Sequence, residues 1–248
     1  MFGVFNKLKK TGTFRTRYAG DGIIVKNRNF GFMDDPKFKA AYEWSAFYAH
    51  KGQKSPWTDV DLRWRSHVCV WAAQLALKHE GDFVECGVDT GILSGTIWKM
   101  LDFEKLDRQF FLFDTFTGTP EVAGMTESEK WFRKYHNKHR YSDTYDYITA
   151  KTAGYPNIKV VQGFLPDTLG ALAERKIAYL SMDLNNAPSE KVVIEQLWDR
   201  LVPGAMIVLD DYAYGGFDPQ YDMWNTFAKS KGLTVVSLPT SQGLLIKA

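Results

Sequence analysis

The stretch GDFVECGVDTGILSG, Gly81 to Gly95, decides how the rest of the chain is read. Its first half is a short apolar run that ends on Glu85, and its second half places three glycines in nine residues, from Gly87 to Gly95. A strand that runs into a glycine-rich turn and then a helix is the opening unit of a doubly wound α/β sheet, where ligands lie beyond the carboxyl ends of the strands. Upstream, Val68, Val70, Trp71, Ala72, Leu75 and Leu77 recur at helical spacing between Asp59 and His79, and Gly81 stops that helix.

Downstream the pattern alternates. β-rich runs at Phe83–Cys86, Phe110–Asp114, Ile158–Gln162, Ile177–Asp183, Ala205–Asp210, Leu233–Leu238 and Leu244–Lys247 are mostly separated by helical segments. The clearest helix lies in PSEKVVIEQLWDRLVPG, where Ile194, Leu197, Trp198 and Leu201 form one stripe, Pro188 stands near the start and Pro203-Gly204 end it. Only PTSQG joins the last two runs, which predicts an antiparallel hairpin at the end of an otherwise parallel sheet.

The bulk numbers bound the function. A chain of 248 residues accommodates one α/β domain with extensions. A net charge of +2 gives no argument for nucleic acid or an anionic membrane as partner, so the ligand has to be read from a site. Cys69 and Cys86 are the only cysteines and sit in apolar runs, which predicts reduced, buried thiols. No signal-peptide core opens the chain and no run of apolar residues reaches a membrane span, so the expectation is a soluble, cytoplasmic protein.

The chemistry gathers at the strand ends. The predicted strands finish on Glu85, Asp114, Gln162, Asp183 and Asp210-Asp211, which puts acids or amides on one rim five times. A single Asp after a strand is ordinarily a helix cap or turn residue, and five in register point to a ligand instead. The turn itself reads E-x-G-x-x-x-G, over Glu85, Gly87 and Gly91, rather than the G-x-G-x-x-G of a dinucleotide site. A carboxylate in the first glycine's place repels a pyrophosphate, which argues against a nicotinamide-dependent oxidoreductase. It suits a ligand with positive charge such as S-adenosylmethionine, and Asp114 on the next strand can accept from ribose hydroxyls.

These blocks resemble class I S-adenosylmethionine-dependent methyltransferases, and specifically the macrocin O-methyltransferase family of sugar O-methyltransferases. The resemblance rests on GDFVECGV…G (Gly81 to Gly91), LFDTFTGTP (Leu112 to Pro120), GFLPDTL (Gly163 to Leu169) and PGAMIVLDDY (Pro203 to Tyr212). It implies a Rossmann-like, doubly wound, mostly parallel seven-stranded sheet with an antiparallel last strand and an N-terminal helical extension. On this reading residues 61–248 form the methyltransferase domain and residues 1–60 an accessory region with short helices. The cofactor contacts expected are Glu85, Gly87, Thr90, Gly91, Ser94, Asp114, Thr115, Gln162, Gly163, Phe164 and Asp183. The resemblance also implies a divalent metal, usually Mg²⁺, on Asp183, Asp210 and Asp211, and an all-carboxylate set suits such a hard cation. Asp183 is the candidate catalytic base, the acceptor is a hydroxyl of a sugar-containing small molecule, and a homodimer or higher homo-oligomer is a family-level expectation.

One position departs from the family pattern. MDLNNAPSE carries Asn185 where a second Asp commonly stands, and an amide can coordinate or hydrogen-bond but cannot act as a base. A catechol-like phenol as acceptor, and a non-catalytic binding module that keeps the fold, are the alternatives. ESEKWFRKYHNKHRYSDTYDY, Glu127 to Tyr147, reads either as a lid that recognises the acceptor through Lys134, His136, His139 or Arg140, or as a solvated helix face. His136 and His139 are spaced to share a metal, although no acidic partner is fixed by spacing. Tyr212, Tyr214 and Gly215-Gly216 form a second mobile wall or an ordinary turn. Arg63, Arg65 and His67 form a basic helix start, facing either the cofactor mouth or solvent.

Overall fold

The computed structural model describes residues 16–47, 60–141 and 143–248. An N-terminal hairpin, β1 (Thr16–Gly20) and β2 (Ile23–Lys26), turns through Asp21 and Gly22 with φ of +47° and +72°. Both central residues thus occupy the left-handed region that a two-residue Asp-Gly turn requires. Helix α1 (Pro36–Ala46) follows, capped by Asp35, whose side chain accepts from Lys37 N at 2.7 Å and Phe38 N at 3.0 Å. The helical extension expected at this end is therefore present, but a hairpin precedes it.

The remaining elements are α2 (Arg63–Ala76), β3 (Asp82–Cys86), α3 (Ile92–Leu101), β4 (Phe110–Asp114), α4 (Glu127–His139), α5 (Tyr145–Thr152), β5 (Ile158–Gln162), β6 (Ile177–Met182), α6 (Ala187–Leu197), β7 (Leu201–Leu209), α7 (Asp218–Ser230), β8 (Val236–Ser237) and β9 (Gly243–Ile246). Their seven-stranded sheet has the order β5-β4-β3-β6-β7-β9-β8. β3 to β7 run parallel, and β9 is antiparallel to both its neighbours. The last-strand expectation holds.

The limits of β3, β6 and β9 shift by one residue, and two strands move further. β7 starts at Leu201 and passes through Pro203-Gly204, because its pairing with β6 shifts register between Ile177↔Leu201 and Tyr179↔Met206 and absorbs the turn-like residues as an irregularity. β8 shrinks to Val236–Ser237, an edge strand whose side chains are exposed.

Period-two alternation builds a core on each face of the sheet. Val84, Cys86, Phe113, Leu180 and Ile207 pack with Ile194, Leu197 and Trp224 of α6 and α7. Phe83, Phe110, Tyr179 and Val208 pack with Cys69, Ala73, Ile97 and Trp98 of α2 and α3. Trp98 and Trp224 are completely buried, and burial of rings this size contributes ~3 kcal/mol each. Both cysteines are free and buried, and burial pushes their thiols up. Among the described residues no helix is long and apolar enough to cross a membrane.

Strand order reverses between β3, which leads to β4 and β5, and β6, which leads to β7. At that switch point the carboxyl ends of neighbouring strands part and open a cleft.

Candidate active site

Two adjoining chambers occupy the cleft and share Gly87, Asp89, Tyr141, Asp183 and Asn185 as walls. The first, about 630 Å³, is lined by Asp114, Thr115, Phe116, Thr144, Gly163, Phe164 and Leu165 among others. The second, about 1030 Å³, takes in Glu85, Thr90, Arg65, His136, Arg140, Asp210, Asp211 and Tyr214.

The turn after β3 is held from below. Gly87 has φ +87°, and a Cβ there would lie 1.9 Å from the carbonyl oxygen of Asp183. Contact with the end of β6 thus requires the glycine. Asp114 is also committed to this turn: Oδ2 accepts from Val88 N at 2.6 Å and Asp89 N at 2.8 Å, and Oδ1 accepts from Phe116 N at 2.7 Å. Three of the roughly four lone-pair directions of its carboxylate are occupied, which leaves about one for a ligand hydroxyl. Gly91, at φ +69°, starts α3, and a Cβ on it would meet Ile148 Cδ1 at 2.8 Å. Gly163, at φ +145°, hydrogen-bonds its N–H to Asp114 O at 2.9 Å. Thr115 donates to Gly118 O at 2.6 Å and lines the first chamber beside Phe164. Gln162, by contrast, is exposed and belongs to neither chamber, although its backbone pairs with Asp114.

Glu85 is 3% exposed on the floor of the second chamber, and its Oε2 has no hydrogen-bond partner among the described residues. Burial, offset in part by the Ser94 hydroxyl behind it and reinforced by Asp210 and Asp114, pushes its carboxyl up to about 8. An orphaned carboxylate oxygen at the edge of a cavity fits an ammonium group. Ser94 lies fully buried and outside the cavity wall. Thr90 is buried and accepts through its carbonyl from Lys151 Nζ at 3.0 Å, and the same ammonium donates to Ser45 O at 2.7 Å. Burial pushes Lys151 down to about 7.

Asp183, Asp210 and Asp211 each turn a carboxylate oxygen into the second chamber, and these atoms lie within 4.8 Å of one another. Burial and the two neighbouring carboxylates hold Asp183 well above the usual range, and burial raises Asp211 to about 6 against the pull of Arg65. Crowded, under-compensated oxygen donors with no His or Cys among them fit a hard divalent cation. Asn185, at φ +60°, donates from Nδ2 to Asp183 Oδ1 at 2.8 Å. Gln242, fully buried, donates to Asp210 Oδ1 at 3.0 Å.

The walls sort the remaining expectations. One face of α4 and the loop after it supplies Phe132, Tyr135, His136, Arg140 and Tyr141 to the cleft, while Lys134 and His139 are exposed. Neither histidine belongs to the acidic cluster; the His136 ring lies 4.1 Å from that of Phe132, and burial pushes it down to about 4. The base of α4 is pinned by Glu129, which accepts from Thr126 N at 2.7 Å in a capping box and from Ala187 N, the start of α6, at 2.7 Å. Tyr214 faces the chamber, whereas Tyr212 is buried and donates to Asn225 Oδ1 at 2.9 Å. At the start of α2, Arg63 pairs with Asp61 and His67 stacks on Phe32 at 3.9 Å, so only Arg65 reaches the site.

Asp21 is a site residue that the sequence does not single out, and of the two orientations open to Arg65 the structure shows the one toward the cleft. Arg65 is 4% exposed; its Nε donates to Asp21 Oδ2 at 2.7 Å, and its Nη1 donates to Asp210 Oδ2 at 2.6 Å and Asp211 Oδ1 at 3.0 Å. The Asp21-Gly22 pair between TRYAG and IIVK is the signal that locates the hairpin, although nothing local in it points at Arg65.

Comparison with known proteins follows the same lines. The family model described as Macrocin-O-methyltransferase (TylF) matches residues 68–236. Mycinamicin III 3''-O-methyltransferase of Micromonospora griseorubida is 26% identical over 145 residues, covering 53% of this chain and 55% of that protein. The 8-demethyl-8-(2,3-dimethoxy-alpha-L-rhamnosyl)-tetracenomycin-C 4'-O-methyltransferase of Streptomyces olivaceus is 26% identical over 139 residues, covering 54% and 53%. The chain thus spans about half the length of the curated relatives it matches. Among solved structures, the O-methyltransferase NovP superposes with a TM-score of 0.65 at 17% identity, over 85% of this chain and 88% of that one. SAH-bound PaMTH1 of Podospora anserina gives 0.54 at 10%, over 87% and 91%, and these two likenesses show the shared Rossmann-like methyltransferase fold. With the fold in common and the family's model matched across most of its length, this chain belongs to the macrocin O-methyltransferase family.

Proposed function

We propose that the chain is an S-adenosylmethionine-dependent O-methyltransferase that acts, with a divalent cation, on a hydroxyl of a sugar-containing small molecule. The observation that carries this reading is the opening of the orphaned Glu85 carboxylate and the Asp183, Asp210, Asp211 cluster onto one chamber. That chamber thus offers one carboxylate that suits an ammonium and a cluster that suits a hard cation. The curated relatives support the acceptor class, since both are named for O-methylation and one name specifies a rhamnosyl group.

When bound, S-adenosylmethionine supplies the electrophilic methyl and Mg²⁺ supplies charge that favours the acceptor's alkoxide. The protein's own part is positioning and proton transfer. Glu85 would hold the amino group, Gly163, Phe164 and the remaining lone pair of Asp114 would hold the nucleoside, and Asp183, Asp210 and Asp211 would hold the cation. Asp183 would take the acceptor's hydroxyl proton on Oδ2, the oxygen that Asn185 leaves open. Such a base contributes about 10²–10⁴-fold. Phe132 and Tyr141, half-buried in the chamber wall, would limit water around the reacting atoms.

Calorimetric titration of S-adenosylmethionine and its demethylated product, with and without Mg²⁺, in wild type and Asp210→Asn tests the proposal. Micromolar cofactor binding and a Mg²⁺ heat lost in the variant are the expected outcome. Absence of cofactor binding under every condition would overturn it.

A further inference from the structure

Arg65 sits where a cation site has least use for another positive charge. Its guanidinium cannot shed its proton, it is buried, and it contacts two of the three carboxylates of the acidic cluster. A divalent ion bound to those carboxylates would share a low-dielectric chamber with a fixed cation, and the two would repel.

The structure also supplies a means of drawing Arg65 aside. Asp21 lies in the turn of the N-terminal hairpin, far from the cluster in sequence, with a side chain only 8% exposed. Its Oδ2 takes the Nε edge of Arg65 at 2.7 Å, on the side of the guanidinium away from the Nη1 that serves Asp210 and Asp211. Asp21 also lines the second chamber, and the ring of Tyr214 lies 5.7 Å from the guanidinium carbon. With all groups ionised, Asp21, Asp183, Asp210 and Asp211 carry four negative charges against the single positive charge of Arg65, a balance of three. A divalent ion reduces that to one. Without Asp21 the balance before binding falls to two, and Arg65 is released to pair wholly with the cluster.

We propose that Asp21 and Arg65 together set the divalent-cation affinity of the site: Arg65 competes with the metal for Asp210 and Asp211, and Asp21 restrains Arg65 so that the metal can win. This rests on the reading of the acidic triad as a metal site. It makes the N-terminal hairpin part of the active centre, with Asp21 as a positioning residue that acts through Arg65.

The two substitutions have opposite signs, which a merely structural role would not produce. Mn²⁺ titrated into the full chain without cofactor, with free Mn²⁺ read by its paramagnetic resonance signal, measures the affinity directly. Asp21→Asn is expected to weaken Mn²⁺ binding by about tenfold, and Arg65→Gln to tighten it by about tenfold, each equivalent to ~1.4 kcal/mol. Asp61→Asn removes a carboxylate that pairs with Arg63 beside the same hairpin and is expected to change nothing, so it controls for loosening of the hairpin. Circular dichroism establishes that each variant is folded. Should Arg65→Gln fail to fold, the contrast between Asp21→Asn and Asp61→Asn decides the matter, and equal effects would overturn the proposal. Wild-type binding that neither Asp21→Asn nor Arg65→Gln alters, or that both weaken, would overturn it while leaving the metal reading intact. Binding confined to Arg65→Gln would support it in its strongest form. Absence of binding in every variant would overturn both.

Discussion

Asn185 donates to Asp183 across 2.8 Å from a backbone held at φ +60°, so one residue fixes both the bend after β6 and the orientation of the proposed base. Asparagine tolerates that conformation far better than most residues, and its amide supplies a donor where a carboxylate would repel. Asn185→Gly keeps the backbone and loses the donor, and Asn185→Ala loses both. Both variants are expected to lower kcat by about 10–100-fold with cofactor affinity unchanged, as is usual when a ligand's outer support is removed. Only the alanine variant should also lose about 1 kcal/mol of stability from left-handed strain. Steady-state kinetics with thermal melts separate the two effects, and an alanine variant with wild-type kcat would contradict the assignment.

Glu85 links cofactor binding to pH. Its carboxyl is raised from an ordinary 4.5 to about 8, chiefly by burial. Between those values the folded chain retains a proton that the unfolded chain has lost, so stability of the ligand-free fold falls as pH rises through this window. Glu85→Gln should abolish that slope and raise Tm at pH 8 while losing cofactor affinity. In wild type the ammonium of the cofactor needs the ionised form, so affinity should climb by about tenfold per pH unit below 8. Binding at pH 7 should release a proton, read as a dependence of the calorimetric enthalpy on the buffer's ionisation heat. An enthalpy indifferent to buffer would argue against this role.

Gly87 and Gly22 share a positive φ but not a cause. A Cβ on Gly87 would strike the Asp183 carbonyl at 1.9 Å, whereas one on Gly22 would meet nothing within 4 Å. Gly22→Ala should therefore cost only the conformational strain, about 1 kcal/mol, and Gly87→Ala at least ~4 kcal/mol or the folded state itself. Chemical denaturation of both variants provides the comparison, and similar losses would show that the close approach to β6 is relieved cheaply.

Glu190 closes the far side of the site. It accepts from Trp224 Nε1 at 2.6 Å, Gln220 Nε2 at 2.8 Å and Leu184 N at 3.2 Å, and it thereby ties α6 and α7 to the segment that follows Asp183. Glu190→Leu would strand two buried donors and one part-buried one and should destabilise the fold by about 3–5 kcal/mol. Glu190→Gln, which keeps an acceptor oxygen, should recover at least half of that in the same denaturation experiment.

How much of this was legible depended on the range of the interactions involved. β4 and β5 have the predicted limits because FFLFD and IKVVQ are short β-rich runs that each end on a polar residue. Likewise the acidic ends of β3, β6 and β7 could be placed on one rim by strand parity alone. The roles of the glycines were less legible: Gly87 answers to Asp183, 96 positions later, and only the β3–β6 pairing shows it. Gln162 shares the rim's register with Asp114, yet it stands on the outermost parallel strand and its side chain is exposed. The partners of Arg65 were the hardest, since they are 44, 145 and 146 residues away and its helix start could face either the cleft or solvent. Within α4, alternating charge and aromatic residues concealed a helix with one face on the cleft and the other in solvent.

Glu129 and Asn137 make α4 a strut held at two points. At its first turn a single carboxylate grips both its own cap and the N-terminus of α6. About two turns further on, Asn137 accepts from Thr119 N at 2.9 Å and donates to Thr119 O at 2.8 Å. The cleft-lining Phe132, Tyr135 and His136 project from the span between these anchors, so side chains there can be exchanged without releasing either end of the helix.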